Sequence, residues 1–215
     1  LLAGISLAMS LLPQEFLLIL TVFMAMGAWR LSRQQVLARR AATIETLGSA
    51  TVLCTDKTGT LTCNSMAVAE LAPAQGVLPA ELLELAILAS EREPFDAMER
   101  ALHERGRRDL PAAAWHPDWA LVHEYGLSPE LPAMTHVWRA GAGHVVAIKG
   151  APESVAGLCG LAAEQREALS AQALAMAGRG LRVLAVARAL VSAAGPAAPW
   201  PASPDGFAFR LLGLV

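Results

Sequence analysis

Val52-Leu53-Cys54-Thr55-Asp56-Lys57-Thr58-Gly59-Thr60-Leu61-Thr62 decides how this chain reads. Three apolar or β-prone residues run into an aspartate, and a glycine flanked by threonines then turns the chain. The pattern predicts a short buried strand, with Asp56 at its carboxyl end and a phosphate-cradling loop behind it. Open α/β sheets take ligands at that end of their strands, and small or hydroxyl residues let backbone N–H groups reach phosphate oxygens. A carboxylate there can attack a phosphoryl group, with Lys57 supplying a compensating positive charge. An aspartate that merely caps a turn after a strand uses the same residue types. The length of the string favours the chemical reading.

Upstream, residues 1–29 carry one charge, Glu15, and no Lys or Arg. A bilayer core needs about 20 apolar residues as helix, so this stretch predicts a transmembrane helix, broken near Pro13. Gln14 and Glu15 follow that proline. Ionisable groups at mid-membrane depth mark ion paths, and a broken helix frees carbonyls that can ligate a cation. Pro13, Gln14 and Glu15 are therefore candidate residues of a cation path. A kinked anchor with Glu15 turned toward neighbouring helices is the alternative. Arg30, Arg33, Arg39 and Arg40 come next and set this end of the span in the cytoplasm by the positive-inside rule. Residues 30–48 read as a cytoplasmic stalk, with the helix continuing through 31–47.

Composition agrees with a membrane part: 54% of the 215 residues are hydrophobic and 17% charged. A net charge of −2 leaves no electrostatic footprint for nucleic acid, and no such partner is expected. Cys54, Cys63 and Cys159 show no metal-ligand spacing and read as reduced cytosolic thiols. The five histidines have no defensible ligand spacing either. The chain opens without Met or a charged leader and closes on an apolar run, so both ends read as cut from something longer.

Downstream, strands are predicted at 66–69, 119–127, 133–139, 144–149, 181–187 and 207–215, from β-branched and aromatic content. Helices are predicted at 79–92, 95–108, 152–158 and 162–177, with Pro79 suited to a first turn. Four prolines make 192–204 a loop. The simplest organisation is an insertion. A domain formed by 49–66 and 206–215 is interrupted by a second one at 67–205, long enough to fold by itself.

Asp56-Lys57-Thr58-Gly59-Thr60-Leu61-Thr62 closely resembles the phosphorylation motif of the P-type ATPases. The order of span, basic stalk, aspartyl loop and inserted domain resembles that family's plan over essentially the whole chain. The resemblance implies an α/β fold class: a transmembrane helix and stalk, part of a haloacid-dehalogenase-like Rossmannoid phosphorylation domain, and an inserted α+β nucleotide-binding domain. It implies ATP-driven cation transport, with Asp56 as phosphate acceptor and Lys57, Thr58 and Thr60 beside it. ATP and Mg²⁺ are the implied cofactors, the metal held by the Asp56 carboxylate and the Thr58 carbonyl. Implied partners are the transported cation, the lipid bilayer and the remaining domains of the parent pump. The implied location is the plasma or inner membrane, with phosphorylation and nucleotide-binding domains in the cytoplasm.

Three strings in the inserted segment are similar to the family's nucleotide pocket. Lys149-Gly150-Ala151-Pro152-Glu153 resembles the loop whose Lys lies along the nucleotide. Phe95-Asp96-Ala97-Met98-Glu99 looks like the segment whose acid, here Glu99, meets the adenine amino group. Leu181-Arg182-Val183-Leu184-Ala185 is similar to the strand whose Arg contacts phosphates. Lys and Arg neutralise triphosphate, and Gly150 permits close approach.

The chain also departs from the family. Leu127 stands where many relatives stack a ring on adenine, and Pro132 replaces a Lys before Ala133-Met134, the remaining candidate contact. Pro13-Gln14-Glu15 replaces the Pro-Glu-Gly of calcium and sodium pumps, which puts calcium in doubt and favours a monovalent cation or proton. No Cys-Pro-Cys is present, which argues against a heavy-metal pump. The family's second magnesium-binding Asp motif and its dephosphorylating Thr-Gly-Glu loop are expected outside 1–215, so this stretch alone is not expected to pump.

Two alternatives stay open: a membrane-tethered phosphatase of the haloacid dehalogenase type, and a truncated nucleotide-binding module. Such phosphatases usually carry an Asp two residues after the nucleophile, where this chain has Thr58, which cannot shuttle a proton at neutral pH.

Overall fold

The computed structural model describes residues 4, 6, 14–37, 40–192 and 200–215, without the side chains of Gln14, Ala41, Ala42 and Thr58. It divides into two compact units, Leu1–Leu61 and Thr62–Val215.

In the first unit, α1 (Gln14–Ser32) is built from leucine, isoleucine, phenylalanine and methionine with one acid in its first turn, Glu15. Glu15–Ser32 is long and apolar enough to cross a bilayer. Pro13, the expected break, lies outside the described residues. The stalk expected at 31–47 is not one helix. Gln35 adopts a left-handed φ of 63°, where an L side chain crowds its own backbone, and the helical ladder stops there. A second helix, α2 (Ala41–Ser49), follows. Gly27 of α1 faces Ile44 of α2; a Cβ on the glycine would sit 3.5 Å from the Ile44 side chain.

The second unit is one six-stranded antiparallel sheet covered by helices on both faces. Its strands are β1 (Ala72–Pro73), β2 (Ala120–Tyr125), β3 (Ala133–Ala140), β4 (Gly143–Gly150), β5 (Ala185–Val191) and β6 (Arg210–Leu214), in the order β1-β6-β5-β4-β3-β2. The helices are α3 (Pro79–Leu88), α4 (Ala97–Asp109), α5 (Pro152–Leu158) and α6 (Ala163–Ala177).

Period-2 alternation sends successive side chains to opposite faces. Val137, Val146, Ile148, Ala187 and Leu214 pack with Val155 of α5 and Leu169 of α6. Trp138, Ala147, Val186 and Leu212 pack with Leu82, Leu85 and Leu88 of α3 and Leu102 of α4.

Residues 206–215, expected to rejoin the Asp56 domain, instead form β6 inside this sheet, with Leu211 opposite Ala187 and Leu214 opposite Ala185. The apolar run was read for burial, but burial does not name the neighbour that supplies it. The strand expected at 181–187 likewise sits later, because β4 pairs from His144 with Val191 to Gly150 with Ala185. Residues 66–69 form no strand.

Cys159 follows α5 in the second unit, packed against the core. Burial pushes its thiol up to about 11, whereas Cys54 and Cys63 are exposed. The thiolate is the nucleophile, so iodoacetamide near neutral pH is expected to modify Cys54 and Cys63 while Cys159 reacts only after denaturation. Peptide mass mapping reads this directly; equal labelling of all three would contradict the packing around Cys159.

Candidate functional site

Residues 50–56 are irregular, and Val52 and Leu53 are 78% and 83% exposed rather than buried in a strand. Such a strand stays buried only between sheet neighbours, and among the described residues nothing pairs with 52–54. The Thr55 hydroxyl donates to the Asp56 carbonyl at 3.0 Å. Lys57–Leu61 then forms a single π-helical turn. Gly59 has φ 77° there, a conformation open to glycine at little cost. Asp56, Lys57 and Thr60 are exposed around this turn. The turn presents a carboxylate, an ammonium and a hydroxyl to solvent.

In the second unit, Asp96 caps α4, its carboxylate accepting from the Met98 N–H at 2.8 Å. That fixes where the helix starts, and it places Glu99 in the first turn, where the macrodipole favours negative charge. Lys149 closes β4, just ahead of Ala151-Pro152, where Pro152 opens α5 without losing a helical hydrogen bond.

The two side chains meet in the interior. Lys149 Nζ lies 2.5 Å from Glu99 Oε1 and 2.6 Å from Ser90 Oγ, and Lys149 and Glu99 are each under a tenth exposed. Desolvation lowers the Lys149 pKa, partly opposed by its hydrogen bond and attraction to Glu99. Removing one partner of such a pair leaves a buried charge uncompensated, at a cost of about 3–5 kcal/mol.

Met134 on β3 is the Cα partner of Lys149. Leu127 lies in the β2–β3 connection and is 66% exposed. Arg182, also exposed, lines a separate cavity of about 250 Å³ with Met98, Leu102, Met176 and Leu181. Glu99 and Lys149 are thus in direct contact, with Met134 opposite Lys149 in the sheet. Leu127 lies on the exposed β2–β3 connection, and Arg182 on a cavity that Met98 of α4 also lines.

Gly150 is buried, and a Cβ on it would lie 2.5 Å from Ala133 Cα, Ala133 Cβ and the Pro132 oxygen. Its missing side chain makes room for β3, a packing need that the sequence did not signal. Ser90 was also missed. It ends a helix by bonding back to the Ala86 carbonyl at 2.8 Å, and no pattern in the sequence marks it as a partner for Lys149.

No family model matches the sequence. The chain is 30% identical, over 86% of its length, to calcium-transporting ATPase 1 of Schizosaccharomyces pombe, covering 25% of that protein. It is 32% identical over 78% of its length to a probable plasma membrane ATPase of Dictyostelium discoideum, covering 16% of it. A probable cation-transporting P-type ATPase of Mycoplasma genitalium is 29% identical over 87% of the chain, with 22% of that protein covered. A crystal structure of a zinc-transporting PIB-type ATPase in an E2.Pi state aligns over 89% of this chain and 26% of its own, with TM-score 0.46 and 20% identity. The chain spans about a quarter or less of the length of these relatives. With the aspartyl string in the first unit and this succession of relatives along its length, the chain belongs to the P-type ATPases.

Proposed function

We propose that the protein carrying this chain is an ATP-driven cation pump of the membrane, phosphorylated at Asp56, with its nucleotide bound by the second unit. The observation that carries this reading is the buried Lys149–Glu99 pair, drawn from strings 50 residues apart. Both strings resemble the family's nucleotide pocket, and the pair sets a carboxylate that accepts from an exocyclic amine beside an ammonium that donates to nucleotide oxygens. Lys149 would face phosphate or ribose oxygens, and Glu99 would accept from the adenine amino group. Met134 forms the apolar floor beside Lys149. Leu127 offers a base-packing surface without a ring, and Arg182 a phosphate contact.

At the aspartyl turn, an Asp56 carboxylate oxygen would attack the terminal phosphorus. The bond to the bridging oxygen breaks, and ADP leaves with that electron pair. Lys57 offsets charge on the transferred group, and Thr60 can donate a hydrogen bond to it. The donor set around Asp56 is all oxygen, which fits Mg²⁺. The Asp56 carboxylate and the Thr58 carbonyl would hold the ion, which supplies positive charge against the phosphoryl oxygens when bound. In the first turn of α1, Glu15 would be the ionisable group of the cation path, beside Pro13 and Gln14.

Calorimetric titration of the chain with ATP tests the nucleotide site. Binding is expected to be modest, because Leu127 replaces a stacking ring. Lys149→Met should weaken it about tenfold or more, the loss of one charge-assisted contact. Circular dichroism separates this from unfolding. A folded chain with no detectable ATP binding would remove the proposal.

A further inference from the structure

His136 sits on β3 with its side chain fully buried under α3. Its Nδ1 lies 3.1 Å from the Leu88 carbonyl oxygen. A carbonyl can only accept, so Nδ1 carries the hydrogen and Nε2 keeps its lone pair. Nε2 is buried and has no hydrogen-bond partner. An unsatisfied buried acceptor costs about 1–3 kcal/mol, so the fold maintains this nitrogen at a cost.

Two carboxylates stand near the ring. Glu124 on β2 is the Cα partner of His136, and Glu91 follows the end of α3. One ligand atom from each of Glu91, Glu124 and His136 lies within 4.8 Å of the other two. Three Lewis bases converge, and ionised carboxylates with this imidazole tautomer present only acceptors. Such a triangle calls for an electrophile at its centre. Arg92 is turned elsewhere, with its guanidinium 4.9 Å from the Trp138 ring and bonded to the Trp119 carbonyl at 2.5 Å. Lys149 is committed to Glu99 and Ser90.

We propose that Glu91, Glu124 and His136 bind one divalent transition-metal ion. One imidazole nitrogen and two carboxylate oxygens suit Zn²⁺, Co²⁺ or Mn²⁺, whereas Mg²⁺ and Ca²⁺ favour oxygen-only sites. The Nδ1–H to Leu88 contact is the outer hydrogen bond that fixes the ligating tautomer and the ring orientation in histidine metal sites. Tetrahedral ligands at about 2.1 Å from zinc lie about 3.4 Å apart, so the glutamates swing inward on binding. Glu124 is exposed, so the remaining coordination position faces water. The site shares no side chain with the Lys149–Glu99 pair, and it does not depend on nucleotide binding.

The test uses the full chain in detergent with Cys54, Cys63 and Cys159 changed to Ser, which removes competing thiolates. Zn²⁺ is titrated against a chromophoric chelator, and Co²⁺ is followed by its visible absorption. One Zn²⁺ per chain is expected, with Glu91→Gln and Glu124→Gln each weakening it by about tenfold or more. Glu124→Gln alters an exposed side chain, so its fold should survive and be verifiable by circular dichroism. His136→Gln should abolish the Co²⁺ spectrum. Absence of Zn²⁺ uptake, uptake unchanged by both glutamate variants, or equal displacement by Mg²⁺ would each overturn the proposal.

Discussion

Asp56→Asn is expected to eliminate the phosphoryl label from the protein that carries this chain. The expected experiment is brief incubation with radiolabelled ATP, acid quench and electrophoresis at low pH. The unsubstituted protein should show a band that hydroxylamine removes, because an acyl phosphate is a mixed anhydride and phosphoserine or phosphothreonine is an ester. Asn keeps the size of the side chain but replaces the attacking carboxylate oxygen with an amide, so covalent transfer stops rather than slows. The exposed position of Asp56 on a glycine-centred turn means that the substitution should leave the fold alone. Surface changes of this kind typically cost within about 0.5 kcal/mol. Loss of the label can then be read as loss of chemistry. A hydroxylamine-sensitive band that persists in Asp56→Asn would move the acceptor to another residue and end the assignment.

What the sequence made legible, and what it hid, follows from how local each signal is. Helix α5 was readable at both ends, because Pro152 starts it and Gly160, in the left-handed region at φ 59°, helps turn the chain after it. Strands β3 and β4 were readable because β-branched and aromatic content needs no knowledge of partners. The fate of 206–215 was not readable: Leu211, Leu212 and Leu214 ask for burial, and only the long-range pairing with β5 says where. The break at Gln35 is a single backbone conformation at a residue with no strong preference for it. At the site, Lys149 and Glu99 could be named from strings that resemble a family. Their direct contact, and the role of Ser90 between α3 and β4, depend on how helix and sheet pack. Glu91, Glu124 and His136 come from three separated segments, and no spacing along the chain announces them.

Gly150 separates a packing role from a ligand role, and its substitution should lower stability before any ligand is involved. In the resemblance, this glycine lets a nucleotide approach the backbone. In the structure, the space a Cβ would occupy already belongs to β3, with Ala133 Cα, Ala133 Cβ and the Pro132 oxygen all at 2.5 Å. Two of those three atoms are backbone, held by the β3–β4 ladder, in which Ala133 pairs with Gly150. The Ala151 N–H also bonds the Pro132 oxygen at 3.0 Å, which pins the same corner. Relief therefore requires prising β3 from β4 beside Lys149, not turning a side chain aside. Overpacking of this kind costs about 1–3 kcal/mol, and a clash against backbone lies at the upper end. For a unit of this size, about 3 kcal/mol corresponds to a melting temperature roughly 6–12 °C lower. Gly150→Ala should show that drop in calorimetry without nucleotide, and Gly150→Val should fail to give a cooperative transition. If Gly150→Ala melts at the unsubstituted temperature and loses only ATP affinity, the glycine serves the ligand and the β3 contact is not what requires it.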